Sequence, residues 1–318
     1  MSVLVVGSVA LDTVETPSGQ VSDALGGSAT YFSLAASLYT EPIRLVAVVG
    51  EDFPSECLRI LRDRNVDLLG LEKKPGQTFR WVGRYGDDLN TAETLATELN
   101  VFAHFDPKVP TEYRRTPVVF LANIDPGLQL KVLESVDRPR LTAMDTMNFW
   151  ISSKRDQVTE VMRSVDIVLV NEAELRQYAG VRNLSVAARR VLDLGPRAVV
   201  VKKGEYGCSL FAEDRYFAVP AFPLDDVCDP TGAGDSFAGA FMGSLASSSS
   251  LGWEAMRQAV LHGCVVASYT CESFSVHRVS QLRRDDVERR LHRLLSFTQL
   301  DSTREVELNH AIQNAAQA

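Results

Sequence analysis

The stretch Asp229-Pro230-Thr231-Gly232-Ala233-Gly234-Asp235 sets a bare run of backbone beside a carboxylate. With only small residues between Thr231 and Asp235, successive N–H groups can point at an anion without side chains in the way. The apolar run from Ala238 to Ala246 that follows is helix-forming and rich in small residues (Ala238, Gly239, Ala240, Gly243, Ala246), so the loop is expected to be a helix N-terminus. Such an end collects free amides and the positive pole of the helix dipole, a natural seat for phosphate. A carboxylate is repelled by a bound phosphate, so Asp235 needs a different purpose. Taking the proton from an attacking hydroxyl is one that fits. A glycine turn with a capping Asp would account for a lone Gly-x-Gly-Asp. Here the pattern runs on to Met242.

Asp12 comes just past the apolar run Val3 to Val6, where open α/β sheets bind ligands. Gly26-Gly27 precedes an apolar-faced helix, Ala29 to Leu38, and serves at least as a cap and turn. Asn171-Glu172-Ala173-Glu174 follows a strand directly, with Asn171 able to cap the next helix and two acids on its positive end. Lys202-Lys203-Gly204 closes the strand Ala198 to Val201. Asn123, Asp125, Asp145 and Asn148 also fall at strand C-termini, where some residues face the ligand crevice and others only form turns. Met147-Asn148-Phe149-Trp150 could wall a ring or pack as core.

Asp229 to Met242 resembles the C-terminal signature of the ribokinase-like, or PfkB, family of carbohydrate and nucleoside kinases. The resemblance implies Asp235 as catalytic base and the amides of Gly232, Ala233, Gly234 and Asp235 as an anion hole. It implies that Asp12 holds two hydroxyls of a sugar or ribose and that Gly26 and Gly27 let backbone approach that substrate; Asn148, by its place at a strand end, is expected as a further substrate contact. Asn171 and Glu174 match the family's Asn-x-x-Glu and would order Mg²⁺ through water. Lys202 stands where the family usually has Thr, in a nucleotide-binding loop with Gly204, and Thr231 would contribute there too. Ser275 stands where many relatives have Gly, in a loop that would close over adenine. The same loop implies a K⁺ site at Asp229 and Thr231. Similarity of this kind spans residues 2–295.

The elements between these residues fit that placement. Strand-like runs at Val3–Val6, Ile43–Val49, Val118–Leu121, Leu141–Asp145, Ile167–Val170 and Ala198–Val201 alternate with helical segments. That rhythm predicts one α/β domain over 1–318, with a doubly wound, mainly parallel sheet and helices on both faces. Residues 76–110 break the rhythm. Thr78 to Tyr85 alternates, carries Phe79, Trp81 and Tyr85, and with residues 12–22 is expected to form a small β-lid. Those rings need cover, from substrate, main domain or a second subunit, and lids of the family often pair as dimers. Residues 301–318 read as a polar, partly frayed tail.

A net charge of −8 with no block of Lys or Arg argues against nucleic acid and anionic membrane as partners. Five cysteines without a C-x-x-C pair suggest neither a disulfide framework nor a zinc site. No basic leader or spanning stretch is visible, and a cytoplasmic protein is expected. Gly7-Ser8-Val9-Ala10 is not a dinucleotide fingerprint, and no Gly-Lys pair exists for a P-loop. The expected function is transfer of the ATP γ-phosphate to a hydroxyl of a small sugar, with a nucleoside as the alternative acceptor. A non-catalytic binder on the same scaffold is the remaining reading.

Overall fold

The apolar run Val3–Val6 forms strand β1, flanked on both sides in a nine-stranded sheet. The computed structural model describes residues 1–297, so the tail expected at 301–318 lies outside the described residues. From β1 the chain builds one wing through β4 (Ile43–Gly50) and β5 (Val66–Lys74). It then returns to the other side of β1 and adds β8 (Val118–Leu121), β9 (Leu141–Met144), β10 (Ile167–Asn171) and β11 (Ala198–Lys202), all parallel. An antiparallel hairpin, β12 (Cys208–Ala212) and β13 (Arg215–Val219), ends that wing. The reversal beside β1 opens a crevice at the strand C-termini, the usual ligand position in such sheets.

Alternate residues of each strand feed two different cores. Val3, Val5, Val118 and Phe120 face one helical layer, while Leu4, Val6, Val119 and Leu121 face the other. The first layer holds α1 (Ser28–Ala36), α2 (Ser55–Asp63), α8 (Ala233–Ser247), α9 (Trp253–Thr270), α10 (His277–Gln281) and α11 (Arg284–Ser296). The second holds α3 (Pro126–Ser135), α4 (Asn148–Ser153), α5 (Arg155–Arg163), α6 (Glu172–Ala179) and α7 (Leu184–Leu192). The small residues of α8 let it lie directly on α1. A Cβ at Gly239 would meet the Phe32 carbonyl at 2.2 Å, and one at Gly243 would meet that of Ala36 at 2.8 Å.

A second sheet, ordered β3-β2-β6-β7, forms the lid from β2 (Ala10–Thr16), β3 (Gly19–Gly26), β6 (Arg80–Tyr85) and β7 (Ala92–Glu98). Its limits differ from those expected. β3 runs on to Gly26, and residues 100–104 leave the sheet as a 3₁₀ turn because Val101 and Phe105 bury in the second core. Asp52 ties the lid to the sheet, accepting from Thr78 N and Oγ1 at 2.7 Å each and from Arg80 at 2.9 Å. Gly50-Glu51-Asp52 therefore acts as the lid's hinge mount. The lid's rings are half-buried within the subunit: Phe79 stacks on Phe102, and Trp81 lies against Gly83 and donates to Thr94.

Candidate active site

Helix α8 starts at Ala233 with Gly232 as its N-cap, at φ +75°. A Cβ there would come within 2.4 Å of the Tyr31 ring, so both conformation and space call for glycine. The Ala233 amide bonds back to the Pro230 carbonyl at 3.1 Å and is withdrawn from the expected anion hole. Among the described residues, the amides of Gly232, Gly234 and Asp235 find no partner within the protein. Three unsatisfied N–H groups at a helix start can receive an anion such as phosphate.

Asp235, in the first turn of α8, is only partly covered and opens on the crevice. Burial, and then the neighbouring Asp145 charge, push its carboxyl up to about 7, while Lys202 pulls the other way. Asp12, from the lid strand β2, behaves similarly. Burial raises it to about 7 against the Gly27 amide that bonds it, and the Asp229 and Asp235 charges add to the rise. Its carboxylate rests on Gly26, where a Cβ would lie 1.9 Å from Oδ2, and Gly27 takes φ +93° to present its amide. The glycine pair thus exists to admit a carboxylate. The buried Tyr31 hydroxyl feels Asp12, Asp229 and Asp235 together, which places it among the three acids. Tyr85 of the lid accepts from Thr231 Oγ1 at 3.3 Å, bringing the lid over the loop.

Asn171 and Glu174 form a reciprocal capping box on α6: Asn171 Oδ1 accepts from the Glu174 amide and Glu174 Oε2 from the Asn171 amide, each at 2.8 Å. Nδ2 of Asn171 and Oε1 of Glu174 make no hydrogen bond among the described residues. Burial and then Asp145 raise Glu174 to about 7, with Lys202 opposing. Lys202 Nζ bonds Asp145 Oδ2 at 2.5 Å. Gly204 begins the exposed turn after β11, and a Cβ on it would strike Asn90 of the lid tip at 2.1 Å. Asn148 opens α4 and is exposed, and its carbonyl accepts from Gln177 of α6 at 3.3 Å.

Asp229 is fully buried, accepts from Thr231 N at 2.9 Å and Ser275 N at 3.2 Å, and forms no ion pair among the described residues. Ser275 occupies the left-handed region, φ +56°, which explains glycine as the usual occupant; its hydroxyl compensates by donating to the Leu25 carbonyl at 2.6 Å. No cluster of three or more His, Cys, Asp or Glu able to hold a metal occurs among the described residues.

The model of the pfkB family of carbohydrate kinases matches residues 2–281. The chain belongs to that family. A cytidine kinase of Thermococcus kodakarensis is 30% identical over 247 residues, 76% of this chain and 87% of that protein. Fructokinase-1 of Zea mays is 30% identical over 243 residues, 68% of this chain and 72% of its own. Among solved structures, a ribokinase II from E. coli in complex with ATP and Mg²⁺ matches with a TM-score of 0.76 at 17% identity, covering 92% of this chain and 99% of that one. As a pfkB-family member the chain is an ATP-dependent kinase, and its ribokinase-like fold follows from the same likeness.

Within this kinase three residues escape the sequence reading as site members. Asp145 is visible at a strand end but without a role; Tyr31 lies inside an ordinary-looking amphipathic helix; Tyr85 reads only as a ring needing cover. Their common signal is position: each comes one turn or one strand end from the crevice.

Proposed function

We propose that this kinase moves the γ-phosphoryl group of ATP to a hydroxyl of a sugar ring, carried free or as the ribose of a nucleoside. The observation that carries the reading is the convergence of Asp12, Asp235 and three free amides on one crevice. Asp12 clamps vicinal hydroxyls, since a carboxylate accepts two hydrogen bonds at once. Asp235 takes the proton from the attacking hydroxyl, its oxygen bonds to phosphorus, and ADP leaves with the electron pair. The free amides hold the phosphoryl oxygens, so placement and charge neutralisation supply most of the acceleration. Mg²⁺, when bound, adds charge neutralisation on the phosphates, with Asn171 and Glu174 ordering its waters. A K⁺ ion at Asp229 and Thr231 would neutralise the buried carboxylate. A homodimer through the lid would cover its half-buried rings and the edge strand β7 with its exposed Leu95.

Between acceptors, the nucleoside reading gains from the cytidine kinase, which this chain resembles over most of both lengths. The test is ATP consumption against cytidine, inosine, adenosine, ribose and fructose, with and without K⁺. Turnover of fructose or ribose with no nucleoside accepted would end the nucleoside reading. No turnover of any polyol, together with unimpaired ATP binding, would end the kinase mechanism proposed here.

A further inference from the structure

Lys202 puts a charge where the family usually has a hydroxyl, and its side chain does not stay with the loop it belongs to. It leaves the end of β11 and runs under the start of α8, so that an added methyl at Gly234 would lie 3.3 Å from Nζ. Gly234 carries one of the three free amides. The ammonium is held there by Asp145 Oδ2 at 2.5 Å, and the pair is nearly sealed, with 16% of the Lys202 side chain and 5% of Asp145 exposed. Burial works against the charge on Lys202, yet Asp145 and then Glu174 hold it above the ordinary lysine range. A buried ion pair rarely adds stability over neutral groups of the same shape, so its presence here calls for a functional reason. Resting on the kinase reading above, we propose that Lys202 is a resident cation of the phosphoryl seat, contacting the transferred group, and that Asp145 is the residue that positions it.

The step stays balanced. The acceptor oxygen forms its bond to the γ-phosphorus and gives its proton to Asp235, while the bond to the β-bridging oxygen breaks and ADP takes the electrons. Lys202 transfers no proton; it lowers the energy of the charge that gathers on the phosphoryl oxygens as the bonds exchange.

Binding of ATP, ADP and AMP to the full chain, measured calorimetrically, tests this without knowledge of the acceptor. In Lys202→Met the preference for ATP over ADP should fall about tenfold or more, because the lost charge faces only the terminal phosphoryl, while AMP binds as in the wild type. With the acceptor found in the panel above, kcat should fall about 100-fold with KM for ATP altered far less. Removing one partner of a buried pair can unfold a protein, so the second variant is Lys202→Met with Asp145→Asn, a neutral pair of similar shape. It should melt near the wild type, keep the lost ATP preference and remain slow. Recovery of wild-type kcat and ATP preference in the double variant would overturn the proposal, leaving the pair a structural one. An unchanged ATP-to-ADP ratio in either variant would overturn it equally. A wild-type chain that does not discriminate ATP from AMP would instead sink the kinase reading on which it rests.

Discussion

As the proposed base, Asp235 has a use for its raised pKa. A base must be charged to accept a proton, so kcat/KM should rise with pH through about 7 and level off above it. Asp235→Asn should lose 10²- to 10⁴-fold in kcat while ATP affinity changes little, measured by turnover and by calorimetry. The same shift has a stability consequence of definite sign. The folded pKa lies above the ordinary Asp value, so the folded state binds the proton more firmly than the unfolded chain. Stability is therefore highest below about pH 4 as far as this group goes, and is lost as pH rises toward 7. Asp235→Asn should then melt at least about 2 °C above the wild type at pH 8, with the gap closing toward pH 5. A melting point that falls at pH 8 would show that the charge is paired and not strained. The bare loop at Gly232–Gly234 with its adjoining Asp235 was legible in sequence because small residues in a row report backbone open to an anion, whereas Asp12 and the paired glycines drew their roles only from the family resemblance. Asp145 and Tyr31 were not, because what makes them site residues is a contact across strands or helices distant in the chain.

Helix α8 carries the proposed phosphate seat, and its height over the sheet is set by α1. Gly239 and Gly243 let backbone meet backbone, with the Phe32 carbonyl only 2.2 Å from where a Gly239 Cβ would be. A neighbour made of main chain cannot rotate away, so Gly239→Ala should cost about 2 kcal/mol or more and lift the helix start from its place. Thermal melting should show the loss. Any residual kcat should fall further than that of a surface Ala variant of equal melting point. At this scale the buried parallel strands were plain, since an unbroken apolar run as short as Val118–Leu121 suits a strand covered on both faces. Strand β5 was missed because it lies at the sheet edge, only partly buried, and carries Asp67, Glu72, Lys73 and Lys74. The β12–β13 hairpin was missed because β13 faces solvent over most of its length. The parallel pairing of β2 with β6 joins segments far apart in the chain, which no local pattern reports.

Across the molecule, the lid touches both halves of the crevice at once. On the acceptor side it carries Asp12, and Tyr85 reaches the Thr231 hydroxyl. Thr16 and Ser18 bond the carbonyls of Cys228 and Val227, at 2.8 and 3.1 Å, beside the buried Asp229. On the proposed nucleotide side its tip meets the turn after β11, where Asn90 donates to Glu205 at 3.3 Å and fills the space over Gly204. A cover fastened at both ends excludes water from the phosphoryl group, which would otherwise compete with the acceptor hydroxyl. Each fastening is a single hydrogen bond, those of Ser18 and Asn90 exposed and those of Thr16 and Tyr85 partly buried, and one such bond is weak enough to part when ATP enters. Asn90→Ala combined with Tyr85→Phe should therefore leave the fold intact and loosen the closed state. KM for the acceptor should rise about three- to tenfold, and ATP hydrolysis in the absence of acceptor should increase, since water gains the access that the lid denies it. Measured together, the two changes separate a loosened cover from a damaged seat: damage to the amides or to Asp235 would lower hydrolysis and transfer alike, whereas an unfastened lid raises the first while weakening the second.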